Sequence, residues 1–102
     1  MINLEEALEE LKQKNYRQIQ EETAWKWAGR ACASYQNCLS EAPEKKLICW
    51  TLAEEYYHEA IEHAALVEGK DGLVRQVREA IHPFQEKAAI SMGANPKEVD
   101  VV

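Results

Sequence analysis

The sequence predicts an all-α protein, and three observations carry that prediction. The breaks that proline and glycine mark between helical stretches fall in three places, around 40–43, 68–72 and 93–98. Between these breaks, apolar residues recur at spacings of three and four, the period of one helical face. No stretch alternates apolar and polar residues as a half-buried strand would.

The first helix is expected from about Asn3 to Cys38. It stops at Ser-Glu-Ala-Pro, where Pro43 pushes Ala42 out of helical geometry and suits the first position of a new helix. Its seam reads Leu4, Leu8, Leu11, Asn15, Ile19 and Glu22. The second helix is expected over Pro43 to Glu68. Cys49, Trp50, Ala53, Tyr56, Tyr57, Ala60, Ile61, Ala64 and Val67 fall on one broad side of it and form the core of a hairpin. Two glycines in the run 68–72 can take a left-handed cap. A third helix then follows from Asp71 to about Met92, with Leu73, Val77, Ala80, Ile81, Phe84 and Ala88 on one side. Pro83 removes a hydrogen bond inside it, which predicts a kink or short break at His82. After Gly93, an Asn95 cap with Pro96 and Glu98 opens a short turn over 96–102. One domain spans 1–102.

Helix lengths predict self-association. At 1.5 Å per residue the first helix is ~54 Å long and the second ~39 Å, and a short connection makes them antiparallel neighbours. The first dozen residues therefore overhang the hairpin. Unless the chain folds back near Lys14 and Asn15, the seam of Leu4, Ala7, Leu8 and Leu11 has no cover of its own. A second copy is the simplest cover, giving a homodimer or higher even oligomer.

Composition narrows the function classes. A hydrophobic fraction of 46% with 29% charged residues suits a soluble globular fold rather than a disordered tail. The net charge of −6 comes without a Lys/Arg cluster, which argues against nucleic acid as a partner. The longest run without a charged residue, Ala31 to Ser40, is too short for a membrane span of ~20 residues. The N-terminus is acidic and amphipathic rather than signal-like, so a cytoplasmic location is expected. Cys32, Cys38 and Cys49 are odd in number and lie in helical stretches; they are expected to be reduced and largely buried.

The run EEYYHEAIEH, 54–63, carries the densest chemistry. Residues three and four apart share a helical face, so Glu55 can meet His58, His58 can meet Glu62, and Glu59 can meet His63. These are the ligand types of a carboxylate and histidine metal site, and equally the make-up of a solvated helix face. Ile48, Leu52 and Leu66 lie on the same face, so the acids read as a polar layer inside a second, thinner apolar stripe. Glu55-Tyr-Tyr-His58 resembles the Glu-x-x-His element of ferritin-like proteins of the encapsulated-ferritin and rubrerythrin type, as does the run EHAALVEG, 62–69. The resemblance covers about 19–68. It implies a metal site of di-iron type, iron or another divalent ion, completed across a homodimer. Glu22, Glu55 and His58 would be its ligands, with Glu59, Glu62 and His63 in reserve.

Two further resemblances are shorter. Residues 56–69 are similar to the second helix of a tetratricopeptide repeat, but no period of 34 recurs, and a repeat array is rejected. Arg75 and His82, with Arg78 on the same helix, resemble the Arg and His pair of helical HEPN-type nucleases. No serine has a His and an acid at a nucleophile's spacing, and Trp25, Trp27 and Trp50 read as core anchors. The favoured expectation is a structural or protein-interaction role through self-association. The metal-binding reading stands as its alternative and the nuclease third.

Overall fold

The computed structural model describes residues 3–94, which form three helices and no strand. α1 runs over Leu4–Ser40, α2 over Pro43–Leu66 and α3 over Leu73–Ser91. The expected C-terminal turn at 96–102 lies outside the described residues. No helix among the described residues is long and apolar enough to cross a membrane.

Each boundary has a local cause. The Asn3 side chain accepts from the Glu5 amide and caps α1. Pro43 opens α2 after an extended Ala42. Gly72, at φ 66°, makes the left-handed turn into α3, and the Glu68 carboxylate accepts from the Val74 amide at 2.9 Å, meeting one of the free donors of the first turn. α1 does not fold back near Lys14 and Asn15; it is continuous for 37 residues. α3 is likewise not broken at His82. It runs unbroken through Pro83, which is exposed, so water can meet the carbonyl that the proline leaves without a donor.

The core is an interdigitated seam of small residues. α1 contributes Ala24, Ala28, Ala31, Tyr35 and Cys38, and α2 contributes Ala53, Tyr57, Ala60 and Ala64, with Val67 at its C-cap. Both series step four, three, four, three, the period at which two helices keep one face together as they coil. Alanines at most steps bring the backbones close. α3 lies across the pair with Leu73, Val77, Ile81, Gln85 and Ala88 buried. Its walk of 4, 4, 4 and 3 departs from the expected seam, so Phe84 is 37% exposed and Gln85 takes the inward position. Arg17 Nη1 donates to the Val67 carbonyl at 3.1 Å, fixing the end of α2 opposite Arg17. Lys46 Nζ reaches the Ser91 carbonyl at 3.5 Å, placing the end of α3 beside the start of α2. α2 and α3 are thus antiparallel, both packed on α1.

The thiols are less uniformly enclosed than expected. Cys38 is buried, while Cys32 and Cys49 are half-buried, since each sits at the edge of its helix's core seam. Trp25 is not a core anchor; it is 38% exposed, a step around α1 from buried Ala24.

Candidate functional site

At 100° per residue, Leu4, Leu8, Leu11, Ile19 and Glu22 lie within about 40° of the face of α1 opposite its core seam. Facing away exposes Ile19 at 58%, and for Leu4, Leu8 and Leu11, at 75%, 51% and 55%, the overhang of α1 past the end of α2 adds to it. The same reckoning on α2 puts Glu55 and Glu62 about 180–200° from Ala53, with His58 about 140° round. Glu22 and Glu55 therefore point away from the helix pair on opposite sides. The expected ligand set does not assemble in one chain, and no group of three His, Cys, Asp or Glu residues that could hold a metal ion occurs among the described residues.

The individual residues make local pairs instead. His58 Nε2 lies 2.8 Å from Glu62, both exposed. His63 Nε2 lies 3.7 Å from Glu59, and its Nδ1 meets Gln20 on α1. Glu22 accepts from Gln18 at 3.2 Å. Ile48, Leu52 and Leu66, expected to bracket the acids in a covered stripe, are 62%, 40% and 58% exposed. On α3, Arg75 lies 3.9 Å from Glu79 and His82 lies 3.6 Å from Glu86, each turned to an acid of its own helix.

Polar chemistry gathers at a place the sequence did not single out. Tyr35 on α1 is fully buried, and its hydroxyl donates to Glu54 Oε1 on α2 at 2.9 Å. Gln85 Nε2 on α3 donates to the same carboxylate oxygen at 3.2 Å and to the Tyr35 hydroxyl at 3.4 Å. One small network therefore ties all three helices. Burial, then the adjoining Glu54 carboxylate, push the Tyr35 phenol far above its ordinary range.

The chain matches no family model, no curated protein and no solved structure.

Beside the network, a recess of about 320 Å³ opens between α2 and α3. Glu54, Tyr57, His58, Ile61, Arg78 and Gln85 line it. Tyr57 Oη, Arg78 Nε and Gln85 Oε1 are buried without a hydrogen-bond partner among the described residues. Such atoms are rare in native interiors, and each costs ~1–3 kcal/mol if left unmet. Burial raises the Tyr57 phenol, Arg78 nearby opposes that rise, and Glu54 adds to it. Sequence offered one signal for this site: stepping four from Leu73 through Val77 and Ile81 arrives at Gln85, a polar residue on an otherwise apolar walk.

Proposed function

We propose that this chain is a helical self-association module with a structural or interaction role, in which a second copy covers the outer face of α1. The supporting observation is the exposure of Leu4, Leu8 and Leu11 on a stretch of α1 that extends ~20 Å past the end of α2. α3 ends near Lys46 at the far end of the hairpin.

Charge favours a second copy in antiparallel register. Glu5, Glu6, Glu9 and Glu10 fill the first half of the overhang, and Lys12 and Lys14 the second. Antiparallel pairing sets each acidic half against a basic one, while parallel pairing sets acids against acids. Asn15 sits on the leucine seam, where a single polar residue fixes register in paired helices. The test is sedimentation or light scattering over a micromolar concentration series. Wild type is expected to be a dimer or larger even oligomer. Leu8→Glu and Leu11→Glu should give a helical monomer, because neither side chain touches the intramolecular core. A wild-type monomer throughout the series refutes the proposal.

A further inference from the structure

The recess between α2 and α3 carries opposite charges at its two ends. Because the helices are antiparallel with Glu54 opposite Gln85, Arg78 stands at the level of Ile61. Seven residues separate the two levels on each helix, so they lie ~10 Å apart along the axis. Glu54 uses Oε1 for both hydrogen bonds of the network, leaving Oε2 without a protein donor among the described residues. Arg78 has no carboxylate within ion-pairing distance among them. Between the two levels on α2 comes Tyr57, which lines the recess and whose hydroxyl is unpartnered among the described residues.

A ligand that satisfies this arrangement needs an anionic end, a cationic end and an apolar middle. A simple anion leaves Glu54 uncompensated, a simple amine leaves Arg78 uncompensated, and a compact α-amino acid cannot span the two levels. We propose that the recess binds a small extended zwitterion of the ω-amino carboxylate class. Its carboxylate lies at Arg78 and Tyr57, its ammonium at Glu54 and the Gln85 carbonyl oxygen, and its methylenes against Ile61 and the Tyr57 ring. The guanidinium and phenol donate to the carboxylate, and the ammonium donates to Glu54 Oε2 and Gln85 Oε1, so each unpartnered group gains a partner when the side chains turn to meet the ligand.

The probe is 6-aminohexanoate, titrated calorimetrically into the full chain, with hexanoate and hexylamine as single-ended controls. Saturable binding of 6-aminohexanoate in the millimolar range or tighter is expected, with each control weaker by roughly tenfold or more, the ratio that one charge-assisted hydrogen bond supplies. Tyr57→Phe and Arg78→Gln should each weaken binding several-fold, with folding verified by circular dichroism. If Arg78→Gln does not fold, Tyr57→Phe decides, since it leaves the packed ring in place. The proposal is overturned if wild type gives no saturable heat by ~20 mM, an affinity too weak to need the site. Control binding as tight as that of the zwitterion, or unchanged affinity in the folded variants, overturns it equally. The α2–α3 recess is remote from the leucine seam, so failure of either proposal is read separately from the other.

Discussion

Two tyrosines of one core should respond to the same substitution with opposite signs. Tyr35 and Tyr57 are both buried, but the Tyr35 hydroxyl donates to Glu54 at 2.9 Å whereas the Tyr57 hydroxyl has no partner among the described residues. Changing either to Phe removes one oxygen and keeps the ring, so no cavity opens, and the edge-on packing of residue 35 against Trp50, 5.2 Å between centroids, survives. A hydrogen bond to a carboxylate contributes ~1.5–3 kcal/mol. Glu54 is only half-buried and keeps its bond from Gln85, so water recovers part of the loss. We therefore expect Tyr35→Phe to cost about 1–2 kcal/mol. Tyr57→Phe removes an unmet donor and should be neutral or stabilising by up to ~1 kcal/mol. In a domain of this size 1 kcal/mol moves Tm by ~4–8 °C, so the two variants should separate clearly in thermal melts run without added ligand. Both must be measured at one protein concentration, because the proposed self-association would make Tm concentration-dependent. Equal losses in the two variants, or a greater loss at Tyr57, would refute the assignment of the network to Tyr35, Glu54 and Gln85.

Other outcomes follow from the same geometry. Tyr35 and Tyr57 hold their protons more tightly folded than unfolded, so their contribution is complete below the unfolded phenol value near ~10 and is lost as pH rises beyond it; melts from about pH 8 to 11 should fall at the alkaline end, less steeply in Tyr35→Phe. Gly29→Ala, inside α1 with nothing within 4 Å of the added carbon, should stabilise by ~0.5–1 kcal/mol, whereas Gly72→Ala, at φ 66°, should cost ~1–2 kcal/mol, both read by denaturant titration. Ferrous, manganous or zinc ion should leave the melting curve unchanged, since Glu22 and Glu55 face opposite ways; a metal-dependent rise lost in both Glu22→Ala and Glu55→Ala would instead establish a site built between copies.

How far the sequence discloses such a fold depends on which interactions repeat along the chain. Proline and glycine breaks and apolar spacing marked three helices to within about two residues at each end, because caps and periodicity are local. The hairpin core on α2 was equally plain, since Ala53, Tyr57, Ala60 and Ala64 recur on one face. The leucine seam was visible too, but not its direction. That depends on the phase between Leu8 and Ala24, sixteen residues apart, and only the alanine seam of α2 shows which face of α1 is the inner one. The same phase decides the metal reading, since within one chain Glu22 and Glu55 face opposite ways and a site holding both needs a second copy. The recess was less legible still. Glu54, Tyr57, Arg78 and Gln85 come from two helices joined by a loop, and nothing local marks Gln85 as the residue that must satisfy Tyr35, fifty positions earlier. A buried polar network is specified by pairing across helices, which leaves no period behind it. For that reason a polar residue on an apolar walk, as Gln85 is after Val77 and Ile81, points to a site more directly than a dense run of acids and histidines, which an exposed helix can satisfy by itself through pairs such as His58 with Glu62.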